Sequence, residues 1–196
     1  HNFMREFVYF SSEAATSGNF DVNELMRAGR MDIAVHFIIN SFFLSHSLRD
    51  DVRLHLIFYG MPDPPKHIEI QITPETKLSK KDVANLIKKI LYKYQQGKRA
   101  EVMPGCFIEK KSFLKVIEEL AKENKEIFIL DKKGESIRKA KIPKDSVFVV
   151  GDQNGFPKKE LKRLKKSSRL ISVGPKVYFA SQVATLINNE LDLRGF

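Results

Sequence analysis

The residues best placed to do chemistry in this chain are few, and they cluster at the ends of apolar runs. Ile127 to Leu130 runs into Asp131. Val147 to Val150 runs into Gly151-Asp152-Gln153-Asn154-Gly155-Phe156-Pro157, and Leu170 to Val173 into Gly174-Pro175. Runs this short and this rich in β-branched residues are those of parallel strands covered on both faces. In open α/β sheets ligands collect beyond the carboxyl ends of such strands. A glycine there lets a ligand approach the backbone, whose amides can hydrogen-bond a purine edge or a carboxylate. Taken singly, Gly155 and Gly174 read as residues that permit tight turns; three such ends together point to a pocket built from main chain.

Other chemistries find little support. No G-x-G-x-x-G follows a strand and no G-x-x-x-x-G-K-[ST] occurs, which sets nicotinamide dinucleotides and ATP back. His36, His46, His55 and His67 fall singly along the chain, and His46 and His55 read as helix-end and strand residues, so no metal is expected. No G-x-S-x-G elbow is present. The lone Cys106, in Pro104-Gly105-Cys106-Phe107, makes no internal disulfide and reads as a packed thiol, which fits a reducing, cytoplasmic setting.

The elements that must position these strand ends follow from periodicity. Arg5 to Phe10 reads as a first strand, followed by a polar loop to about Gly29. Met31 to Leu44 is a helix apolar nearly all round, which requires burial on more than one side, by its own sheet or by a second subunit. Val52 to Tyr59 and His67 to Ile72 read as strands separated by Gly60-Met61-Pro62-Asp63-Pro64-Pro65. Lys80 to Gln96 is an amphipathic surface helix, and Phe113, Val116, Ile117, Leu120 and Ala121 mark another. Lys158 to Lys166 and Phe179 to about Leu191 complete the helices. Strands alternating with helices imply an α/β layer fold with a mostly parallel sheet. With no internal repeat or low-complexity block, residues 4–196 read as a single domain. His1 to Phe3, ahead of Met4, read as a leftover before an initiator methionine.

Composition bounds the partner. A chain of 196 residues with 42% hydrophobic content can build a substantial core, and no stretch approaches the roughly 20 apolar residues a membrane crossing needs. The net charge of +10 attracts polyanions and makes nucleic acid the leading partner class, with a basic but otherwise ordinary enzyme as the competing reading. Lys158, Lys159, Lys162, Arg163, Lys165, Lys166 and Arg169 form a dense basic run, either a solvated helix face or part of an RNA-facing surface.

The segment Val147 to Pro157, followed by Ile171-Ser172-Val173-Gly174-Pro175 and a helix ending Asn189-Glu190-Leu191-Asp192, resembles the cofactor half of SPOUT methyltransferases. Met4-Arg5-Glu6-Phe7, Gly29-Arg30-Met31-Asp32, Phe42-Phe43-Leu44-Ser45-His46, Tyr59 to Pro65 and Ile87-Lys88-Lys89 extend the resemblance to the archaeal TrmY family, tRNA pseudouridine N1-methyltransferases. The resemblance spans nearly all of Met4 to Leu193. It implies a SPOUT-type sheet with helices on both faces, a C-terminal trefoil knot, a homodimer, and S-adenosylmethionine bound in bent form by the knot loops. Carried over by position, the cofactor contacts are Leu130, Gly151, Val173, Gly174, Pro175, Lys176, Val177, Tyr178 and Val183. The family pattern usually has a cysteine where this chain has Val183, so this position is expected to offer backbone and apolar surface rather than a thiol.

The implied reaction is N1-methylation of a T-loop pseudouridine in tRNA. The alternatives are an rRNA pseudouridine N1-methyltransferase of ribosome biogenesis, or an RNA-binding SPOUT protein without turnover. Pseudouridine has a C-glycosidic bond, so its N1 carries a proton that must leave. Asp32 is the candidate base or orienter, and equally an acidic residue favourable at a helix N-terminus. Arg30, able to grip phosphate bidentately, is the candidate for the target nucleotide, with Arg49 and Arg53 as further RNA contacts.

Overall fold

Every side chain of the first strand, β1 (Arg5–Ser11), is buried, because the strand runs through the middle of the sheet and is covered on both faces. Phe7 and Tyr9 point into one apolar layer, Val8 and Phe10 into the other. Each fully buried phenylalanine of this kind stabilises the fold by about 1.5–3 kcal/mol. The computed structural model describes residues 3–196; the expectation for His1 and Asn2 lies outside them. Phe3 packs edge-on against Phe196 at 5.4 Å between ring centroids.

After β1 come α1 (Met31–Phe42), β2 (Val52–Phe58), β3 (Lys66–Gln71), α2 (Val83–Tyr92), β4 (Ala100–Met103), β5 (Cys106–Glu109) and α3 (Phe113–Lys122). The chain continues through β6 (Glu126–Ser136), β7 (Ser146–Gly151), α4 (Lys158–Leu164), β8 (Arg169–Ser172) and α5 (Ala180–Leu193). One eight-stranded sheet takes the order β4-β5-β3-β2-β1-β7-β6-β8. The pairs β1–β2, β1–β7, β6–β7 and β6–β8 are parallel, whereas β2–β3, β3–β5 and β4–β5 are antiparallel. Helices α1, α2 and α5 cover one face and α3 and α4 the other. The α/β sheet with helices on both faces is therefore as expected.

Three elements differ from their sequence reading. The helix expected over Lys80 to Gln96 begins as a 3-10 turn, Lys80–Asp82, and its α-helical part stops at Tyr92, ahead of the Gln95-Gln96-Gly97 segment. The β4–β5 hairpin was not expected; its strands are four residues each, and Gly105 makes the turn at φ +84° against the Gln71 carbonyl. Strand β6 runs past Leu130 as far as Ser136. Ile171 of β8 is flanked by Leu130 on one side and Glu135 on the other, so the 131–136 segment crosses over β8. Gly134 makes the crossing: a Cβ there would lie 2.5 Å from the Ile171 amide nitrogen.

Helix α5 is tied back to the start of the chain. The buried Arg5 guanidinium donates from Nη1 to Asn188 at 3.1 Å and from Nη2 to Asp192 Oδ1 at 2.6 Å and the Phe196 carbonyl at 3.0 Å. This docking fixes where the loop between β8 and α5 can lie.

Candidate active site

The ends of β6, β7 and β8 open into one cleft of about 290 Å³. Its wall includes Leu130, Gly151, Val173, Lys176, Val177, Tyr178 and Val183, so the structure brings together seven of the nine residues expected around a cofactor. The other two, Gly174 and Pro175, lie in the same loop but do not line it. Gly174 has φ +150°, a conformation that L side chains rarely adopt, and a Cβ there would lie 2.3 Å from the Tyr178 hydroxyl. Ser172 fastens this loop through hydrogen bonds with the Gly174 carbonyl (2.9 Å) and amide (3.1 Å). At the floor, Gly151 faces the Gly155 backbone, which a Cβ would approach to 3.2 Å. Phe156 stacks on Phe113 at 5.4 Å, holding the β7–α4 loop against α3. Val183, on the first turn of α5, is buried and presents apolar surface.

Asp152 also lines this cleft, and sequence reasoning gave it no role beyond its strand end. It is 8% exposed, accepts from Ser11 Oγ at 2.9 Å and receives the Asn154 amide at 2.9 Å. Burial pushes its carboxyl above the ordinary aspartate range, against the lowering effect of these hydrogen bonds. The signal that could have found it is its position, immediately after the glycine ending a buried strand.

A second cleft of about 430 Å³ adjoins the ends of β1 and β2. Ser12, Glu13, Gly29, Tyr59, Gly60 and Met61 line it, so the two N-terminal motifs meet here. Gly29 has φ +65°, and a Cβ at Gly29 or Gly60 would collide with the Glu13 carbonyl at 1.5 or 2.2 Å. Only bare backbone fits at these contacts. Asn154 donates to Ser12 at 3.2 Å, linking the β7–α4 loop to the edge of this second cleft.

Arg30 and Asp32 sit at the start of α1, beside the same loops. Arg30, the residue before the helix, has φ 61°, and its Nε and Nη2 each donate to Asp32 at 2.9 Å. The hydrogen bonds from Arg30 hold the Asp32 carboxyl below the usual range despite partial burial. An ionised, bidentately bound carboxylate orients groups better than it accepts protons. Between Asp32 and Asp152 lies Tyr9, fully buried, its hydroxyl without a hydrogen-bond partner. Burial and the charges of Asp152 and Asp32 raise the pKa of Tyr9, so its phenol stays protonated.

The structure does not bring Arg49 or Arg53 to either cleft. Arg49 is clamped on Asp192 by hydrogen bonds of 2.9 and 2.8 Å, and Arg53 lies among Glu6 and Glu69. The lysines of α4 are exposed, immediately after the Gly151–Pro157 loop.

Comparison with known proteins places this geometry. A family described as "Putative SAM-dependent RNA methyltransferase" matches residues 4–196. The tRNA (pseudouridine(54)-N(1))-methyltransferase of Thermococcus gammatolerans is 32% identical over 96% of this chain and 97% of its own length. A Vibrio parahaemolyticus protein named "Putative pseudouridine methyltransferase" is 34% identical over 98% of this chain and all of its own. The crystal structure of Archaeoglobus fulgidus Nep1 bound to S-adenosylhomocysteine shares the fold, with a TM-score of 0.61 at 15% identity, over 98% of this chain and 100% of that one.

Proposed function

Because the chain belongs to the TrmY family of S-adenosylmethionine-dependent RNA methyltransferases, we propose that it methylates N1 of pseudouridine 54 in the T-loop of tRNA. The observation that carries the reading is the adjacency of the two clefts. One is lined by the ends of β6, β7 and β8, the other by the N-terminal motifs, and the Ser12–Asn154 hydrogen bond joins them.

The first cleft suits S-adenosylmethionine. Leu130, Val150 and Val183 offer an apolar wall for the adenine, while Gly151, Gly155 and the 173–178 loop offer main-chain edges for its polar rim. When bound, the cofactor supplies an electrophilic methyl group on a sulfonium. Val183 leaves no thiol at the family's usual cysteine position, so the pocket's contribution there is shape.

The chain's own residues handle the uracil ring. The Arg30–Asp32 pair follows Gly29 of the second cleft without lining it, and in this reading Asp32 orients the polar edge of a flipped-out base there while Arg30 faces the backbone phosphate. Methylation of N1 would break the sulfonium's S–CH3 bond and leave a neutral thioether, and the proton displaced from N1 would pass to the Asp152 carboxylate. Asp152 is better suited than Asp32 because burial raises its proton affinity, while Arg30 lowers that of Asp32. Tyr9, buried and under the charges of both aspartates, stays neutral.

Residues 4–196 act as one domain in this reading. The crossing of the 131–136 segment over β8, followed by return of the chain into α5, supports the trefoil knot. Val177 and Phe179, 87% and 75% exposed beside the cleft, support a homodimer that covers them. Among the described residues no helix is long and apolar enough to cross a membrane, and a tRNA substrate accords with a cytoplasmic enzyme.

The test is incubation with methyl-labelled S-adenosylmethionine and tRNA transcripts carrying pseudouridine or uridine in the T-loop, alongside rRNA hairpins. Label only in pseudouridine-containing tRNA supports the proposal. Label only in rRNA reassigns the substrate, and RNA retention without label reduces the protein to a binding module.

A further inference from the structure

Beside the middle of β1, two histidines on the neighbouring strands β2 and β3 meet. His55 on β2 and His67 on β3 stack with ring centroids 5.1 Å apart, and His55 Nδ1 lies 2.8 Å from His67 Nε2. Both are 4% exposed. The outward nitrogen of each is already committed: His55 Nε2 donates to Glu6 at 2.6 Å and His67 Nδ1 donates to Glu109 at 2.8 Å. Lys125 and Arg53 beside Glu6, with Arg99 and Lys111 beside Glu109, keep these carboxylates ionised and therefore accepting.

A neutral imidazole has one N–H to give. With both protons turned outward, the two inward nitrogens present lone pairs to each other across 2.8 Å, an arrangement that is stable only around an electrophile. Glu69 lies close by, its Oε1 3.9 Å from His55 Nδ1 and accepting from Arg99 Nη2 at 3.2 Å, and the three donor atoms lie within 4.8 Å of one another. The sheet register explains the convergence: Glu69 is opposite His55 across β2–β3, Glu109 is opposite His67 across β3–β5, and His67 and Glu69 share a face of β3. The group opens into a cleft of about 370 Å³ lined also by Glu119 and Glu123 of the α3 region and by Arg53, Arg99 and Lys111, the last paired with Glu119 at 2.7 Å.

We propose that His55 Nδ1, His67 Nε2 and Glu69 bind a divalent transition-metal ion, Zn²⁺ by ligand type, with water from the cleft as the fourth ligand. Two histidines and one carboxylate with an open position is a zinc donor set, and a histidine whose far nitrogen donates to a carboxylate is the usual outer support of such a site. Tetrahedral ligands at Zn–N of about 2.0–2.1 Å lie roughly 3.3 Å apart, so the imidazoles separate by about half an ångström on binding. The ion ties β2 to β3, where the parallel and antiparallel parts of the sheet join. A proton shared between the imidazoles would also satisfy the lone pairs, with Glu69 left to its ion pairs with Arg99 and Arg53.

The test uses the full chain stripped with chelator and titrated with Zn²⁺ near neutral pH by calorimetry, and with Co²⁺ followed by visible absorption. Wild-type protein is expected to take up Zn²⁺ saturably, with a rise in Tm, and to give tetrahedral Co²⁺ bands without thiolate charge transfer. Glu69→Gln and His67→Asn are expected to lose this uptake, and Glu6→Gln to weaken it about 10–100-fold. Histidine ring resonances of the wild type, followed by NMR, should move at His55 and His67 when Zn²⁺ is added; this readout needs no variant to fold. Absence of saturable uptake, uptake unchanged in Glu69→Gln, or movement confined to the exposed His36 and His46 would overturn the proposal and leave a shared proton.

Discussion

At the residue scale, two aspartates that look alike in sequence are separated by their surroundings. Asp32 is gripped by Arg30 and held ionised, whereas Asp152 is buried beside Ser11 with its pKa raised. Asp32→Asn is therefore expected to cut methyl transfer by about 10²-fold while leaving calorimetric cofactor affinity within about twofold. Equal loss in both would show Asp32 to be structural. For Asp152 the sign follows from the role proposed for it as proton acceptor: it would work deprotonated, so kcat is expected to rise as pH climbs through its pKa. Because burial raises that value, the acid limb of the kcat profile should lie above the ordinary aspartate value of about 4 and should vanish in Asp152→Asn. A limb that survives the substitution assigns the proton to another group. The sequence made Asp32 visible through its motif. It could not show the Arg30 clamp, which depends on Arg30 adopting φ 61°, or the burial of Asp152, which depends on Ser11 arriving from a strand 141 residues away.

At the scale of elements, what was legible was what repeats. The strand read over Arg5 to Phe10 and the short apolar runs of β6, β7 and β8 located the parallel strands, and the glycines after β7 and β8 pointed to the cleft. The run Asp131 to Ser136 is polar throughout and carries no apolar periodicity although its end pairs with β8, and so the crossing was invisible. The β4–β5 hairpin is partly exposed and four residues per strand, too short for a pattern. His55 and His67 looked solitary because strand register, not spacing along the chain, brings them together. In the proposed site, the loop after β8 is the element that the cofactor would contact most. Gly174→Leu would force a β-carbon toward the Tyr178 hydroxyl at a φ of +150° and is expected to abolish S-adenosylmethionine binding in a calorimetric titration. An unchanged titration would remove this loop from the site.

For the whole molecule, a net charge of +10 favours RNA without saying where it lies. Arg49 and Arg53 are paired with carboxylates of this chain, whereas Lys158, Lys159 and Lys162 stand exposed on α4 next to the first cleft, and we propose that these lysines face the RNA. Reversing these three lysines to glutamate is expected to weaken tRNA binding and to reduce its dependence on log salt by about 2–3. An unchanged slope would place the RNA on another face.

The decisive measurement is nucleoside mass spectrometry of T-loop pseudouridine tRNA after reaction with the wild-type enzyme and S-adenosylmethionine. Our account predicts a singly methylated pseudouridine at position 54 whose fragmentation places the methyl on N1 of the base. A methyl on the ribose, on a uridine, or on no nucleoside of the T-loop would contradict it.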